Sequence, residues 1–476
     1  MHWIDGEWVD SPTVSESVNP ATGAVLGRWA DGGEAEARAA IAAARSAFEK
    51  SAWARDRQLR HKALTEMAER FEAHAAELGP LVTQENGKKI AEGVFEASSP
   101  GITLRHTAAQ ALTETGISAE VAPGQWFSTY AEPAGVVGII VPWNSPVALL
   151  IRSLAPALSA GNTVVVKMPG QTALVANLVS RIMSEVESLP RGVVNVFTES
   201  GNTGAPYLVA SPDVQVISYT GSVPVGRLVA AAGAPTLKRM NLELGGKTPM
   251  IVFEDSNLDA TVPLLAAGIT TFSGQFCMTG SRILVQRSVA DEVRTRLAAL
   301  LEAIRVGDGT DPATDMGPLI DKAAVARVDA MVDEALAYAK PIVRGGPATE
   351  GRLADGAFYL PTLLEVDDVN SAIVQQEVFG PVATFEVFDD EAQAVTRANA
   401  TEMGLAAAIF TNDLNISRRV SREIQAGTVW TNTWAAINDG FAEGGYKQSG
   451  IGRLRGPLAI TEFQEAKTVV HATSAR

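Results

Sequence analysis

The chain has 476 residues, too many for one hydrophobic core, so two or three domains are expected. Its 39 basic and 54 acidic residues give a net charge of −15, which argues against a nucleic-acid partner or an anionic membrane surface. One cysteine allows no intrachain disulfide, and no basic segment leading into an apolar core opens the chain. The cytoplasm is therefore the expected location.

Neither a metal site nor a membrane span is expected from the sequence. The five histidines are scattered without an HxH or HExxH pair, and one cysteine cannot assemble a thiolate site. The most apolar run, residues 134–158, is interrupted by prolines, an asparagine and an arginine. This run fits a buried strand, turn and helix better than a membrane span.

The N-terminal part of the chain predicts short strands followed by long helices. Residues 4–30 have the pattern of short strands and turns, and residues 34–78 predict two helices broken near residues 51–53. A further helix is expected over residues 81–110. All three helices are amphipathic, and we expect them to contribute little to the chemistry.

From residue 134 onward, short apolar strands alternate with helices, a pattern typical of parallel, doubly wound sheets. The first series predicts strands at residues 136–141, 162–167, 193–197 and 214–219, with helices at 147–160, 174–188 and 205–210. The second series predicts strands at 250–253 and 282–285, helices at 258–273 and 290–304, and further units to about 429. Residues 463–472 predict a last strand with no obvious partner in its own chain, which we expect to pair across a subunit edge.

Polar residues follow the first series of strands, at the carboxyl ends where doubly wound sheets bind their ligands. Asn144 can be a turn residue or can donate its amide to an oxyanion, and Lys167 can reach solvent or contact a ribose or phosphate. Thr220-Gly221-Ser222 opens a helix that can hold a phosphate. Its spacing is not GxGxxG, so a plain helix cap is equally consistent.

Cys277 and Glu243 are candidates for a nucleophile and its base. Cys277 lies between apolar neighbours, and Glu243 ends an apolar strand that runs into Gly245-Gly246. Taken alone, the cysteine fits a buried small hydrophobe more often than a nucleophile, and the glutamate fits a solvated charge. No GxSxG motif occurs, which removes the commonest serine-hydrolase signature.

Taken together, these stretches resemble the aldehyde dehydrogenase superfamily over nearly the whole chain. Seven motifs occur in the order of that family: residues 142–144 (PWN), 161–167 (GNTVVVK), 219–222 (YTGS), 242–247 (LELGGK), 274–277 (GQFC), 376–381 (QEVFGP) and 444–450 (GGYKQSG). The resemblance implies two doubly wound α/β domains plus a small β oligomerisation element. It places a cofactor-binding domain at residues 1–110 and 134–245, a catalytic domain at 246–444, and an oligomerisation segment at 111–133 and 453–476.

The resemblance also implies a role for each matching residue. Cys277 would attack the aldehyde to give a thiohemiacetal, Asn144 and the Cys277 N–H would hold the oxyanion, and Glu243 would activate the water that hydrolyses the thioester. The cofactor is expected to be NAD or NADP. The expected cofactor contacts are Ile140, Pro142, Trp143, Lys167, Gly170, Gly201, Gly221, Ser222, Leu244, Glu377 and Phe379. The expected substrate contacts are Arg152, Phe276, Met278 and Trp434.

Three departures from the family pattern bear on cofactor and substrate. Gly170 stands where a glutamate often binds the adenosine ribose, which predicts relaxed cofactor choice with NADP accepted as well as NAD. Leu454 follows Arg453 where the family usually has a glutamate. Ala442-Glu443 stands where Pro-Phe is frequent, and these last two changes affect the substrate tunnel or the interface and not the chemistry.

Arg152 is the most informative of the expected substrate contacts. Many relatives carry an aromatic residue at this position, and an arginine resembles the semialdehyde and hydroxybenzaldehyde dehydrogenase groups. If Arg152 faces the tunnel, an aromatic aldehyde or a carboxylate-bearing semialdehyde is expected, because an unpaired buried guanidinium is costly. The alternative is a surface arginine in a salt bridge.

Three functions are compatible with these residues. The first is NAD(P)-dependent oxidation of an aldehyde, hydrolytic and not CoA-acylating because Glu243 is present. The second is a cofactor-independent cysteine acyl hydrolase that uses Cys277 and Glu243, and the third is a catalytically silent binding protein. The first explains every motif and is the prediction. The expected partners are a small aldehyde and further copies of the same chain, as a homodimer or homotetramer.

Overall fold

The computed structural model describes residues 1–473. The strands are, in chain order, β1 His2–Ile4, β2 Glu7–Val9, β3 Val14–Val18, β4 Val25–Ala30, β5 Ile117–Ala122, β6 Gln125–Pro133, β7 Val136–Ile140, β8 Thr163–Pro169, β9 Val194–Glu199, β10 Val216–Thr220, β11 Arg239–Glu243, β12 Pro249–Val252, β13 Arg282–Gln286, β14 Lys340–Val343, β15 Gly346–Pro347, β16 Tyr359–Leu360, β17 Thr362–Glu365, β18 Val382–Phe388, β19 Met403–Gly404, β20 Ala406–Phe410, β21 Thr428–Thr431, β22 Tyr446–Lys447, β23 Gly450–Ile451 and β24 Gln464–Ala472.

The helices lie between these strands and connect them. They are α1 Glu34–Lys50, α2 Arg57–Asn86, α3 Ile90–Thr113, α4 Pro146–Ala160, α5 Ala173–Ser184, α6 Gly204–Ala210, α7 Val223–Gly233, α8 Leu258–Thr270, α9 Ala290–Glu302, α10 Lys322–Ala335, α11 Ala372–Gln375, α12 Glu391–Ala398, α13 Leu414–Glu423 and α14 Gly456–Thr461. No helix among the described residues combines the length and apolar character that a membrane span needs.

Two large sheets form the framework. The first sheet has the order β2-β1-β9-β8-β7-β10-β11-β23, and its central strands β9, β8, β7, β10 and β11 are parallel. The second sheet has the order β14-β17-β18-β13-β12-β20-β21, parallel except for β14. The expected pair of doubly wound α/β units is therefore confirmed. In the first sheet the winding reverses at β7, which makes its carboxyl edge the place for a ligand.

Helices cover both faces of the first sheet. Successive residues of β8 point to opposite faces, so Val164 and Val166 join one hydrophobic cluster with α2, α4 and α5, and Val165 joins the other with α1. This two-sided burial explains why the strand is a continuous run of β-branched residues. The core thereby fixes the ends of the strands, where the unusual polar residues lie.

The N-terminal helices differ from their predicted bounds. A single helix α2 runs through Pro80 to Asn86, because Leu78 and Val82 are both buried in the core, and it ends at Gly87 with a left-handed φ of 87°. The next helix therefore begins at Ile90 and not near residue 81. The short junction between α2 and α3 lies against the loop after β7 and becomes important for the site.

The last strand, β24, was predicted to have no partner in its own chain, and that prediction is wrong. It pairs antiparallel with β6 along its whole length, from Gln464 opposite Pro133 to Ala472 opposite Gln125, and β5 completes a three-stranded sheet. This sheet is the small β element that was expected, although residues 474–476 of the predicted oligomerisation segment lie outside the described residues. The assignment of functions to the three units stays a prediction.

Candidate active site

The site begins at the carboxyl edge of the first sheet. Ile140 lies opposite Lys167 and Tyr219, and Thr220 lies opposite Glu243, so four strand ends meet in register. The chain leaves these ends through the Pro142-Trp143-Asn144 loop, Gly170, the Gly221-Ser222 turn and Gly245-Gly246. The predicted cofactor and catalytic residues of the first half therefore share one edge.

Asn144 connects this edge to the loop that carries Cys277. The side chain is buried, and its Nδ2 donates to the carbonyl of Gln275 at 3.0 Å. The loop that carries Asn144 is short, because helix α4 begins two residues later at Pro146. The predicted oxyanion donor, Asn144, therefore binds the residue that lies two positions before the predicted nucleophile, Cys277.

The side chains of Asn86, Lys88 and Glu96, which the sequence analysis did not identify, form a buried cluster that holds the backbone of the Asn144 loop. Lys88 donates from Nζ to the Asn144 carbonyl at 2.7 Å and pairs with Glu96 at 2.6 Å, both side chains being almost fully buried. Glu96 also accepts from the N–H of Val147 at 2.9 Å and so caps helix α4. Asn86 donates to the Trp143 carbonyl at 2.7 Å. The sequence analysis placed residues 86–88 inside a helix over residues 81–110, so it gave no signal of this cluster.

The Cys277 loop has an unusual backbone that returns the chain towards the first sheet. After α8, Phe272 and Ser273 adopt left-handed φ angles of 52° and 56°, followed by Gly274 at 71°. Ser273 donates to the Gly317 carbonyl at 2.8 Å and Thr279 to that of Gly274 at 3.1 Å, which hold the turn. Cys277 is half-buried; burial raises the pKa of its thiol, and the Arg152 guanidinium opposes that rise.

Glu243 is buried, which contradicts the interpretation of this residue as a solvated charge. It ends β11, its side chain is 4% exposed, and its Oε1 has no hydrogen-bond partner among the described residues. Burial raises the pKa of Glu243 to about 7, with the Arg152 guanidinium acting in the opposite direction. A carboxylate with a free oxygen and such a pKa has the properties of a general base.

Two glycines allow three functional segments to approach one another. A Cβ at Gly245 would collide with the Glu377 carboxylate, and a Cβ at Gly246 would collide with the Cys277 carbonyl. Gly246 also donates its N–H to Glu377 Oε1 at 3.1 Å, and burial raises the pKa of Glu377 to about 7. Because Gly245 and Gly246 have no side chains, the turn after Glu243 allows the Cys277 and Glu377 segments to approach it closely.

The predicted cofactor residues lie along the same edge. Trp143 and Phe379 pack edge to face with ring centroids 5.5 Å apart. Ser222 precedes helix α7 and makes no capping hydrogen bond; its hydroxyl and backbone lie against the Tyr219 hydroxyl. The exposed Gly201 follows the end of β9. Burial lowers the pKa of Lys167, and Glu199 and Asp31 oppose that shift from nearby.

Gly170 has no room for the carboxylate that relatives often carry. A Cβ there would lie 2.8 Å from that of Ser200 and 3.0 Å from the ring of Trp29. Its neighbour Pro169 is paired with Glu199, a buried acid whose Oε1 accepts from the N–H groups of Thr203 and Gly204. Negative charge is therefore still present beside Gly170, which weakens the hypothesis of relaxed cofactor choice.

Arg152 differs from both of its sequence-based interpretations. It is 2% exposed and so is not a surface residue, and its Nη1 pairs with Glu443 at 2.5 Å. Its Nη2 donates to Thr220 Oγ1 at 2.9 Å. Because the chain itself supplies the counter-ion, Arg152 does not require a carboxylate or a phenol on the substrate. The expectation of Arg152 as a direct substrate contact stays a prediction, and the pairing with Glu443 does not favour it.

The remaining predicted substrate residues divide into two groups. Phe276 lies edge to face with Phe272 at 5.5 Å and with Trp434 at 5.9 Å, forming a half-buried aromatic cluster beside Cys277. Met278 departs from the expectation, because its side chain is 1% exposed and packs in the core of the second sheet. Only its carbonyl, which accepts from Trp434 Nε1 at 3.0 Å, belongs to the site.

Residues 1–473 contain no group of histidine, cysteine or acidic side chains placed to hold a metal ion. The site itself presents the thiol of Cys277, the carboxylate of Glu243 and the amide of Asn144 at the edge of a doubly wound sheet. These groups can support covalent catalysis at a carbonyl, with a base to activate water.

Comparison with known proteins agrees with this geometry. The model of the aldehyde dehydrogenase family matches residues 8–469. Phenylacetaldehyde dehydrogenase of Pseudomonas fluorescens is 36% identical, covering 98% of this chain and 95% of its own, and betaine aldehyde dehydrogenase of Sinorhizobium fredii is 38% identical, covering 98% and 96%. Betaine aldehyde dehydrogenase of Staphylococcus aureus, in complex with NAD+, superposes with a TM-score of 0.97 at 33% identity over 100% of this chain and 95% of its own. The chain therefore belongs to the aldehyde dehydrogenase family and is an oxidoreductase that uses NAD or NADP.

Proposed function

We propose that the chain oxidises an aromatic aldehyde to its carboxylic acid with NAD, using Cys277 as the nucleophile and Glu243 as the base that hydrolyses the thioester. One observation carries this proposal. The only cysteine of the chain lies two residues after Gln275, which the buried Asn144 amide contacts, and close enough to Glu243, a buried carboxylate with an unpartnered oxygen, for that charge to act on its thiol.

The first step needs a nucleophile and a site for negative charge. The Cys277 thiol first loses its proton to solvent; the thiolate sulfur then adds to the carbonyl carbon, the carbon–oxygen π bond opens, and the aldehyde oxygen becomes an oxyanion. Asn144 has two N–H groups on Nδ2, one of which donates to Gln275, so the other can donate to that oxyanion together with the Cys277 N–H. The Lys88–Glu96 pair holds the backbone of Asn144 in place for this role.

The second step forms and then hydrolyses a thioester. NAD held at the edge of the first sheet would supply the hydride acceptor that converts the Cys277 thiohemiacetal into the thioester. Glu243 then takes a proton from water, the resulting hydroxide attacks the thioester carbonyl, and the Cys277 sulfur leaves as the acid is released. One water is consumed for each aldehyde oxidised. The unpartnered Oε1 of Glu243 is the oxygen free to take that proton.

The residues at the edge of the first sheet fit a dinucleotide. The N-terminus of α7, which Ser222 precedes, suits a phosphate oxygen, and Glu377 and Lys167 suit ribose hydroxyls. We place NAD ahead of NADP because Glu199 and Asp31 both lie near Lys167. Their charges would repel a 2′-phosphate at this end of the cofactor.

The substrate class follows from the aromatic cluster beside Cys277. Phe272, Phe276 and Trp434 offer an apolar surface with ring faces and edges for an aryl aldehyde. Because Arg152 is paired with Glu443, we place an aryl aldehyde ahead of a carboxylate-bearing semialdehyde. Two of the similar proteins are named for phenylacetaldehyde and betaine aldehyde, so both belong among the substrates tested.

Turnover on a panel of aldehydes tests the proposal. Benzaldehyde, hydroxybenzaldehyde, phenylacetaldehyde, betaine aldehyde, succinic semialdehyde and hexanal would each be mixed with NAD and NADP, and absorbance followed at 340 nm. We expect the aryl aldehydes with NAD to have the highest kcat/KM and the Cys277→Ala variant to be inactive. Higher kcat/KM with semialdehyde, or reduction of cofactor by Cys277→Ala, would contradict the proposal.

A further inference from the structure

A chain of buried opposite charges ends at Glu243. Arg152 pairs with Glu443 Oε1 at 2.5 Å, and Arg455 donates from Nε to Glu443 Oε2 at 2.8 Å. Arg455 in turn pairs with Asp439, which accepts from Thr103 at 3.1 Å. The segments that meet here are α4, the loop before β22, the start of α14 and α3. Such an arrangement of alternating charges satisfies four ionic groups without any ligand.

Arg152 acts on Glu243 through charge and not through a hydrogen bond. Its Nη1 lies 3.8 Å from Glu243 Oε2, which is beyond hydrogen-bond distance. Nη1 donates a hydrogen bond to Glu443. Nη2 donates to Thr220, the residue opposite Glu243 in the sheet. The guanidinium is therefore fixed beside the carboxylate without binding it.

The fixed distance matches what a general base requires. Burial alone favours the protonated acid, and a nearby cation favours the carboxylate. A guanidinium in full contact would also hold the carboxylate oxygens that must face water. Glu443 opposes that contact, because its hydrogen bond from Nη1 holds the guanidinium 3.8 Å from Glu243. Burial would raise the pKa of Glu443, but Arg152 and Arg455 bring it below its ordinary value, so Glu443 stays charged.

We propose, on the basis of the function proposed above, that Arg152 is a positioning residue that keeps Glu243 ionised yet free to reach the hydrolytic water, and that Glu443 sets the distance between them. The other charged groups that face Glu243 are Arg453 and Glu462, near α14, and the Cys277 thiol across the site. Arg453 favours the carboxylate and Glu462 disfavours it, so these two oppose each other. Arg152 and Glu443 are therefore the groups whose removal should change the ionisation of Glu243 in a predictable direction.

The two partners predict opposite changes. Arg152→Gln removes the cation, so Glu243 should need a higher pH to lose its proton. Glu443→Gln releases Arg152 to bind Glu243, so Glu243 should lose its proton at a lower pH and become a weaker base. Arg152→Lys keeps the charge and should restore most of the original behaviour. A role confined to packing would give no such opposition in sign.

The experiment follows hydrolysis of an acyl-enzyme without cofactor. The enzyme is acylated at Cys277 with p-nitrophenyl acetate, excess ester is removed by rapid gel filtration, and the decay of the thioester is measured from pH 5 to 9. This decay does not depend on the ionisation of the free thiol. We expect the acid limb to move up by about one pH unit in Arg152→Gln, to return close to wild type in Arg152→Lys, and to move down in Glu443→Gln.

A matched arginine provides the control. Arg305→Gln removes an exposed guanidinium paired with Asp315, and the acid limb should not move. Unchanged limbs in Arg152→Gln and Glu443→Gln, or shifts in the same direction, would overturn the proposal. If Arg152→Gln does not fold, the downward shift in Glu443→Gln decides alone. A wild-type enzyme that forms no acyl-enzyme would overturn both this proposal and the proposed function.

Discussion

Burial opposes the charged form of two individual residues of the site, Cys277 and Glu243. The two groups are anions when deprotonated, so the apolar surroundings raise the pKa of the thiol and of the carboxyl. Arg152 opposes this rise in both cases, and Arg453 also opposes it at Glu243. One guanidinium therefore acts on the charge of both the nucleophile and the base.

The pH dependence of turnover follows from the pKa of about 7 for Glu243. The working form of the base is the carboxylate, which is present above this pKa and lost as the pH falls through it. Where thioester hydrolysis limits the rate, we expect kcat at pH 6 to be roughly tenfold below its plateau, since one pH unit below a pKa leaves about a tenth of the group ionised. A profile of kcat that is flat from pH 8 to 6 would refute this role of Glu243.

Cofactor preference is the second prediction at this scale. We expect kcat/KM for NAD to exceed that for NADP by about tenfold or more, because the carboxylates near Lys167 would repel the 2′-phosphate of NADP. A tenfold difference corresponds to about 1.4 kcal/mol. Glu199→Gln should narrow the ratio by removing one of the two carboxylates near Lys167. Glu302→Gln, at the exposed end of α9, is the control and should leave the ratio unchanged. An equal preference in the wild type would restore the hypothesis of relaxed choice.

Some residue assignments could not be made from the sequence because their partners are far away along the chain. Arg152 and Glu443 are 291 positions apart, and each was noted as a separate departure from the family pattern. Nothing in the sequence says that the two side chains neutralise each other. Met278 was likewise expected to contact the substrate, whereas its side chain packs in the core of the second sheet.

At the scale of elements, the junction of α2 and α3 is the part of the site that periodicity concealed. Both helices have the amphipathic pattern of surface helices, yet Lys88 and Glu96 point inwards, beneath the Asn144 loop. The motifs after β7, β8, β10 and β11 were predicted correctly as strand ends, because apolar runs closed by turns are readable locally. Contacts between a helix junction and a loop about 57 residues later are not readable in that way.

Removing one partner of the buried Lys88–Glu96 pair should affect both folding and activity. Glu96→Gln would leave the Lys88 ammonium without its counter-ion and weaken the cap of α4, at a cost of about 3–5 kcal/mol in the free energy of unfolding. We also expect kcat to fall, because the Asn144 loop loses its support. Thermal unfolding and steady-state kinetics measure the two effects.

The control for that variant is an ion pair at the surface. Arg287→Gln breaks the exposed pair with Asp389, and we expect neither Tm nor kcat to change. If Glu96→Gln also left both quantities unchanged, the buried pair would have no supporting role. A loss of stability without any change in kcat would mean that Asn144 is held by other contacts.

At the scale of the whole molecule, the three-stranded sheet is the feature that suits assembly. Its strands β5 and β24 form open edges, and its exposed apolar residues include Ile117 at 78% and Val470 at 49%. The sequence predicted this element but placed the partner of β24 in another subunit. A strand's partner is set by register and topology, which apolar alternation does not encode.

We expect the chain to assemble as a homodimer or homotetramer through this sheet. Light scattering should give a mass two or four times 50.1 kDa. Replacing Phe127 and Val470, which lie opposite each other on β6 and β24, by threonine keeps strand propensity and removes apolar surface, so the assembly should weaken. Leu414→Thr, on the exposed start of α13, should leave the mass unchanged. A monomeric wild type would exclude the prediction.

The stoichiometry of cofactor reduction by a Glu243→Gln variant tests the central claim most directly. If Cys277 forms the thioester and Glu243 is needed only to hydrolyse it, the variant mixed with NAD and an aryl aldehyde should reduce one NAD per chain in a burst and then stop. The acyl group should be recovered on Cys277 by mass spectrometry. Sustained turnover by Glu243→Gln would contradict the assignment of the base, and the absence of a burst would contradict the order of the two steps.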